Sequence, residues 1–161
     1  MAGADIVGLN CMFDPMMTIE NIRVMKTALD QAGLSPFLMT QPNAYWTTGC
    51  GKGGWLELPE FPLALEPRLV SRIDIYKYAR EAYELGVRYI GGCCGFESYH
   101  IRAIAEELVE ERGGKLPPGS NKSHQWGEGL KYSSSSLFNT KANRKYWENL
   151  GLGEELRQSS S

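Results

Sequence analysis

Three cysteines in this chain have the residue type and the placement needed to hold a metal ion. Cys11 directly follows an apolar run, Ala4 to Asn10, and the adjacent pair Cys93 and Cys94 follows another, Val87 to Ile90. If both runs are parallel strands, their carboxyl ends meet at one edge of the sheet, where such folds place function. Three thiolates with an open fourth position make a catalytic zinc site. The residue types and their placement therefore make these three cysteines candidate ligands for Zn²⁺.

The glycines beside the cysteine pair belong to that prediction. Side chains alternate across a strand, so adjacent cysteines cannot reach one metal from regular strand geometry. Gly91, Gly92 and Gly95 would remove this obstacle, because glycine permits unusual backbone angles and close approach. The residues alone leave other interpretations open, because Cys11 could be a buried apolar residue and the pair could be structural or a vicinal disulfide. The spacing also differs from the two-residue separation typical of zinc fingers.

Composition narrows the class of protein. The chain has 161 residues with a net charge of -2, which gives no broad basic surface for nucleic acid. We expect no membrane span, since no apolar run is long enough, and the first residues lack the regions of a secretory signal. A cytoplasmic, reducing location is therefore expected, where clustered cysteines favour metal or redox chemistry. The glycosylation sequon at Asn121 is then a chance match.

The elements that must position the cysteines alternate between strand and helix. The predicted strands are Ala4 to Asn10, Ser35 to Gln41 and Val87 to Ile90. Thr18 is predicted to cap the first helix, which ends at Gly33. The second helix is predicted from about Ser71 to Leu85 and is terminated by Gly86, and the third is capped by Ser98 and ends near Gly113. In the third helix, the predicted apolar face consists of Ile101, Ile104, Ala105 and Leu108. Apolar strands joined by helices indicate an α/β protein with a parallel sheet. A doubly wound sheet and a barrel both fit this pattern.

Other polar and aromatic residues are candidates for the site, each with a structural alternative. Gln41 ends the second predicted strand at the same edge as the cysteines, where it could cap backbone groups. The glycine-rich loop from Pro42 to about Pro67 carries Tyr45, Trp46 and Trp55, which could bind a quaternary ammonium group, although loop packing is the favoured interpretation. We expect Cys50 to be a free thiol and His100 to be a packing or solvent-facing residue. The remaining candidates are the carboxylates Asp14, Glu60 and Glu66, of which turn chemistry explains Asp14.

Two short segments resemble the zinc motifs of the homocysteine S-methyltransferase family: Gly8 to Cys11 (GLNC) and Gly91 to Phe96 (GGCCGF). The resemblance implies a TIM-type (β/α)₈ barrel that takes one zinc cysteine after its sixth strand and two after its eighth. The chain would then be the C-terminal part of that barrel, strands six to eight with their helices. Longer stretches resemble the betaine-dependent members: LPEFPLALEPR, KYAREAYELGVRYIGGCCGFESYHIRAIAEEL and KYWENL.

The same resemblance implies two regions. Residues 1–114 would be a partial homocysteine-binding barrel domain. Residues 115–161 would be an irregular arm with one short helix, from about Thr140 to Leu150, similar to the start of a dimerisation arm. His124 and Trp126 are interpreted as interface residues of that arm, and full-length members are expected to be homo-oligomers.

The reaction implied by the resemblance is zinc-dependent transfer of a methyl group from betaine to homocysteine, which gives dimethylglycine and methionine. Zinc would activate the substrate thiol, and no catalytic residue is assignable beyond the zinc ligands. The resemblance also makes Gln41 a candidate for contact with the zinc ligands or with substrate. Because most substrate contacts of the family precede the sixth strand, we expect a fragment that is inactive alone. The alternatives are a methyltransferase with another methyl donor, a structural zinc or thiol-redox module in which Cys93 and Cys94 cycle, and a non-catalytic interaction protein.

Overall fold

The computed structural model describes residues 3–117 and 144–149. Its helices and strands are β1 Ile6–Asn10, α1 Pro15–Gln31, β2 Phe37–Gln41, α2 Arg72–Glu84, β3 Val87–Ile90, α3 Ser98–Glu107 and α4 Arg144–Asn149. Two short 3₁₀ turns, Gly54–Glu57 and Glu66–Arg68, lie in the loop between β2 and α2. The predicted alternation of strand and helix is confirmed.

The three strands form one parallel sheet in the order β1-β2-β3. Asn10 at the end of β1 pairs with Gln41, and Ile90 at the end of β3 pairs with Thr40. The strands therefore end level with one another. The residues that follow β1 and β3 leave the sheet at the same edge. Cys11 and the pair Cys93 and Cys94 can therefore meet there.

One face of the sheet is covered by helices and carries the core. Leu38, Thr40 and Val87 point to this face and are buried. Helix α1 contacts α2, and α2 contacts α3, so the three helices lie side by side. The core residues that the helices supply are Ile19, Ile22, Ile75, Tyr78, Ala79, Ala82, Ala103 and Ile104. Burying a side chain of Ile size stabilises the fold by about 1.5–3 kcal/mol.

The opposite face of the sheet is exposed among the described residues. Register places Ile6 beside Phe37 and Met39 beside Tyr89 on this face. The exposed fractions are 54% for Ile6, 67% for Phe37 and 55% for Tyr89, which is high for apolar strand residues. A doubly wound sheet has helices on both faces, whereas helices outside and apolar side chains inside are the arrangement of a barrel wall.

Helix α1 starts earlier than the sequence pattern predicts. The predicted cap, Thr18, lies inside the helix, and Asp14 is the capping residue. Its Oδ1 accepts hydrogen bonds from the backbone N–H groups of Met16 and Met17, both at 2.9 Å. Proline is well suited to the first helical position because its fixed φ matches the helix and its missing N–H needs no partner. The Asp14-Pro15 pair therefore starts a helix, whereas the sequence pattern predicts a turn there.

Helices α2 and α3 differ in how well the pattern predicts them. Ser71 caps α2, where its side chain and that of Asp74 bond reciprocally to backbone N–H groups. In α3, Glu97 takes the capping position instead of Ser98, and the helix ends at Glu107 instead of near Gly113. Ile101, which the pattern predicts to be in the core, is 47% exposed, because the buried side of α3 centres on His100, Ala103 and Ile104.

The chain divides into two compact units, Met1–Leu108 and Val109–Ser161. Within the second unit, the helix predicted between Thr140 and Leu150 is present as α4. Asn121, His124 and Trp126 lie outside the described residues, and the assignment of a dimerisation arm stays a prediction. None of the helices in the described parts of the chain is both long and apolar enough to cross a membrane.

Candidate metal centre

The thiols of Cys11, Cys93 and Cys94 come together at the carboxyl edge of the sheet. Their three sulfur atoms all lie within 4.8 Å of one another. The sulfurs of Cys93 and Cys94 are 3.9 Å apart. Cys11 and Cys93 are half-buried, and Cys94 is exposed. The predicted convergence of the three thiols is confirmed, although residues 12–92 separate the first from the pair.

The four residues after Thr40 connect both halves of this cluster, and we call residues 41–44 the bridge segment. The carbonyl of Gln41 accepts from the Cys11 N–H, and that of Pro42 accepts from the Cys93 N–H, each at 2.8 Å. The N–H of Ala44 donates to the Cys94 carbonyl, also at 2.8 Å. The bridge segment thus holds the backbone of all three cysteines. Sequence reasoning missed it, since backbone hydrogen bonds leave no residue signature.

Cys11 has an unusual backbone conformation. Its φ is +57°, which makes it the one non-glycine residue with positive φ in the described parts of the chain. Such strain costs on the order of 1–3 kcal/mol and tends to occur at functional sites. The side chain of buried Asn43 lies against this residue, with Nδ2 3.5 Å from the Cys11 carbonyl. The conformation turns the Cys11 thiol out of the strand and toward the cysteine pair.

The glycines around the cysteine pair have different roles from one another. Gly95 has a φ of +76°, as the sequence argument required. A side chain at Gly92 would collide with the ring of Phe96, so this glycine provides space and not a special angle. Gly91 shows neither a positive φ nor a close contact. The prediction is therefore confirmed for Gly95, by its backbone angle, and for Gly92, by a close approach that only glycine permits, but not for Gly91.

The protonation state of the cluster follows from its burial. Burial raises the pKa of Cys11 to about 12, and hydrogen bonding to the Cys93 thiol adds to the effect. Burial, together with the nearby Cys94 charge, likewise raises the pKa of the Tyr45 hydroxyl. Ionising Cys11 beside two other sulfurs is unfavourable without a cation. A metal cation would reverse this balance, because a coordinated thiol loses its proton.

The residues present fit a zinc ion. Sulfur ligands at about 2.3 Å in tetrahedral geometry lie about 3.8 Å apart, and the Cys93–Cys94 separation is 3.9 Å. Three protein ligands leave a fourth position for water or substrate. The exposure of Cys94 makes the cluster reachable from solvent. The arrangement therefore suits a catalytic site better than a closed structural one.

The aromatic candidates pack the loop, in agreement with the favoured interpretation. Tyr45 stacks on Trp55 with ring centroids 5.6 Å apart, and Trp55 and Phe61 form a T-shaped pair with centroids 5.3 Å apart. The backbone N–H of Trp46 donates to the Arg68 carbonyl at 2.8 Å. These contacts give the loop a small core of its own.

His100 is a packing residue, and its alternative as a solvent-facing residue is wrong. It is fully buried, its Nδ1 accepts from the Glu97 N–H at 2.9 Å, and its Nε2 lies 3.1 Å from the Val70 carbonyl. Since Nδ1 accepts, Nε2 carries the proton and donates to Val70. Burial lowers the pKa of His100, which keeps the ring neutral.

Cys50 and the carboxylate candidates lie outside the three-thiol group, whereas Gln41 bonds to Cys11 through its backbone. Cys50 is half-buried in the loop, and burial raises the pKa of its thiol. Asp14 ties α1 to the loop, since its Oδ2 accepts from the Thr47 hydroxyl at 2.7 Å. Glu60 pairs with Arg68 at 3.0 Å, which lowers the pKa of that carboxyl. Glu66 begins a 3₁₀ turn, and Gln41 contributes its carbonyl to the bridge segment; substrate roles for these two stay predictions.

Comparison with known proteins identifies the family. The family model described as homocysteine S-methyltransferase matches residues 1–108. The chain belongs to this family. The matched range contains the whole sheet and all three thiols of the cluster, so the family assignment and the geometry concern the same part of the molecule.

Relatives within this homocysteine S-methyltransferase family cover nearly the whole chain. Betaine–homocysteine S-methyltransferase 1 of Xenopus tropicalis is 60% identical over 149 residues, 92% of this chain, and the Mus musculus protein of that name is 58% identical over 151 residues. The S-methylmethionine–homocysteine S-methyltransferase of Mus musculus is 56% identical over 149 residues. The chain spans 37% of the length of the first two relatives and 41% of the third.

Proposed function

We propose that this chain forms the metal-binding part of a zinc-dependent enzyme that transfers a methyl group from betaine to homocysteine. The observation that carries the proposal is the convergence of three thiols within 4.8 Å at the carboxyl ends of parallel strands. The family membership and the names of the relatives support the reaction type. In this proposal the sheet and its helices are strands six to eight of a (β/α)₈ barrel, and their one-sided helix layer supports that architecture.

Cys11, Cys93 and Cys94 are the proposed ligands of the zinc ion. A bound Zn²⁺ would supply Lewis acidity that lowers the pKa of a substrate thiol, which ordinarily titrates near 8.5, so that the nucleophilic thiolate exists at neutral pH. The three protein thiolates keep the site net negative, which leaves a bound sulfur electron-rich. The bridge segment fixes their backbone positions before substrate arrives, so little reorganisation is needed.

The reaction proposed is a direct displacement at the methyl carbon. A bond forms between the homocysteine sulfur and a betaine methyl carbon, while the bond between that carbon and the nitrogen breaks. The electron pair stays on the nitrogen of dimethylglycine, the thiol proton is released, and methionine is the second product. No oxidation or reduction takes place.

The relatives differ in the methyl donor that their names give. Two of the relatives compared are named for betaine and one for S-methylmethionine, with identities of 60%, 58% and 56%. Betaine is proposed on the betaine-like stretches of the sequence, because identities this close do not separate the two donors. The proposal also includes a cytoplasmic setting and a homo-oligomer; the first is supported by four free cysteines, all within the described residues.

Residues 1–161 produced alone are proposed to be inactive. Strands β1 and β3 are the two edges of the described sheet, and unpaired edges favour aggregation. The exposed apolar face, with Ile6, Phe37 and Tyr89, adds to that tendency. Weak zinc binding would persist because the ligands are all present, while turnover by a soluble, cooperatively unfolding monomer would contradict the proposal.

The experiment that tests the function uses the complete natural polypeptide that carries this sequence. Bound zinc is measured per chain, and methionine formation from homocysteine is followed with betaine and with S-methylmethionine in parallel. The expected result is one zinc per chain and faster turnover with betaine. Faster turnover with S-methylmethionine would change the donor alone. Bound zinc without methyl transfer would favour a structural or redox module. The absence of both bound zinc and methyl transfer would refute the proposal.

A further inference from the structure

We propose that Tyr78 is a positioning residue for the metal centre, which acts through the carbonyl of Gly91 on the turn that carries Cys93 and Cys94. Tyr78 lies on α2 and does not belong to the cysteine motifs. The inference rests on the proposed zinc site and extends it to a residue on the helix side of the sheet.

The hydroxyl of Tyr78 lies among three oxygen atoms. It is 2.6 Å from Thr40 Oγ1, 3.1 Å from the Gly91 carbonyl and 3.4 Å from the Thr40 carbonyl. A tyrosine hydroxyl donates one proton, and a carbonyl can only accept. One arrangement satisfies both short contacts: the Thr40 hydroxyl donates to Tyr78, and Tyr78 donates to Gly91. Burial of Tyr78 raises its pKa, so the donor proton is retained at neutral pH.

The Gly91 carbonyl is where the strand ends and the cysteine turn begins. The Gly91 N–H still donates to the Thr40 carbonyl at 2.9 Å, as in a regular ladder. Two residues later, the Cys93 N–H donates to Pro42 in the bridge segment. Gly91 has no side chain to restrict its backbone, so the hydrogen bond from Tyr78 helps to fix the peptide that leads into the turn.

Tyr78 therefore complements the bridge segment from the other side of the sheet. The bridge segment holds the cysteines at their own N–H and carbonyl groups, and Tyr78 holds the chain just before them. Loss of an outer contact made directly to a metal ligand typically costs 10–100-fold in metal affinity. Tyr78 acts on Cys93 and Cys94 through the peptide that leads into their turn. Releasing the Gly91 carbonyl would let the turn relax and weaken zinc binding without removing a ligand.

Tyr76 is a matched control on the same helix. It is 4% exposed, and its hydroxyl donates to Glu106 Oε2 on α3 at 2.6 Å. Tyr76→Phe thus removes a buried tyrosine hydroxyl that is bonded to α3, whereas Tyr78→Phe removes one bonded to the strand that leads to the cysteines. Both variants keep the ring, so both are expected to keep the fold.

The test measures zinc affinity of the complete natural polypeptide by competition with a chromophoric chelator. Tyr78→Phe should weaken zinc binding about 10–100-fold, and Tyr76→Phe by less than about threefold. With Co²⁺ in place of zinc, the thiolate-to-metal absorption bands should shift in Tyr78→Phe and stay unchanged in Tyr76→Phe. Thermal unfolding of the metal-free variants separates any general loss of stability from the effect on the site.

Thr40→Val provides a second test that does not depend on the folding of Tyr78→Phe. This variant removes the Thr40 hydroxyl but leaves Tyr78 able to donate to Gly91, so zinc affinity should change by less than about threefold. A loss as large as that expected for Tyr78→Phe would overturn the inference, and so would equal zinc affinities in the two tyrosine variants. If the wild-type protein binds no zinc, the proposed function itself fails and the inference fails with it.

Discussion

Two regions at the carboxyl edge of the sheet are built from similar residues but held in different ways. The cysteine turns, residues 11–13 and 91–96, are held by backbone hydrogen bonds of 2.8 Å to the bridge segment. The long loop, residues 45–70, also forms backbone hydrogen bonds, but side chains add contacts that the cysteine turns lack. Glu57 accepts from the N–H groups of Gly51 and Gly53 at 2.7 and 2.9 Å, and Tyr45 stacks on Trp55.

The difference indicates how each region should respond to amino-acid substitutions. Backbone bonds to the bridge segment do not depend on which side chains surround them, so the three thiols keep their places when the surface varies. The long loop depends in part on particular side chains, and its cysteine, Cys50, lies outside the three-thiol group. The comparison predicts that substitutions in the turns affect the metal, while those in the loop affect local stability.

The largest contrast is expected between the cysteines of the two regions. Cys93→Ala should abolish both bound zinc and methyl transfer in the complete polypeptide, because two thiolates do not support the site. Cys50→Ala should leave zinc content unchanged. Zinc per chain and methionine formation measure both effects. Full zinc occupancy and activity in Cys93→Ala would show that the turns do not hold the metal.

Acid should release zinc from the cysteine turns. The pKa of Cys11 is raised to about 12 in the metal-free site, so this thiol is protonated at neutral pH and must lose its proton when zinc binds. A fall in pH therefore opposes binding, and affinity should drop about tenfold per pH unit for each proton displaced. Chelator competition from pH 7 down to about pH 5 would measure this. A flat response would indicate ligands other than thiolates.

Two glycines with similar backbone angles should differ in how much they tolerate alanine. Gly95 in the cysteine turn has a φ of +76°, and a Cβ there would lie 2.6 Å from the ring of Tyr45. Gly49 in the long loop has a φ of +85° with nothing within 4 Å. We expect Gly95→Ala to lower the free energy of unfolding by about 2–3 kcal/mol and to weaken zinc binding.

Gly49→Ala should lower the free energy of unfolding by about 1 kcal/mol, since only the backbone angle opposes it. Zinc affinity should not change in this variant. Urea unfolding of both alanine variants, with and without zinc, measures the difference. Equal losses of unfolding free energy in the two variants would mean that the close approach of Tyr45 to Gly95 adds nothing to the cost of the Gly95→Ala substitution.

The smallest effect is expected at Glu57. Glu57→Ala removes the acceptor for two exposed N–H groups, which water can replace, so the free energy of unfolding should fall by about 0.5–1 kcal/mol. Zinc affinity should be unchanged, since both of these hydrogen bonds lie within the long loop. Urea unfolding and chelator competition on the same sample check both statements. A clear loss of zinc would show that the loop and the turns are coupled.

The sequence alone determined the order of elements and the location of the metal candidates. Apolar strands and helical periodicity are local properties, and Gly33 and Gly86 end α1 and α2 with the positive φ that glycine favours. Cysteines placed directly after strands predict convergence, because parallel strands end at one edge. The motifs in which those cysteines stand carried the resemblance to the family that the comparison then confirmed.

Only the tertiary structure decided which residues position the site. The buried side of α3 includes His100 because the Val70 carbonyl offers it a partner 30 residues away, and Ile101 is displaced to the surface. The bridge segment and the hydroxyl of Tyr78 act through backbone carbonyls and N–H groups, which every residue possesses. Their partners are chosen by strand order and register, which depend on contacts distant in sequence, so no local pattern could reveal them.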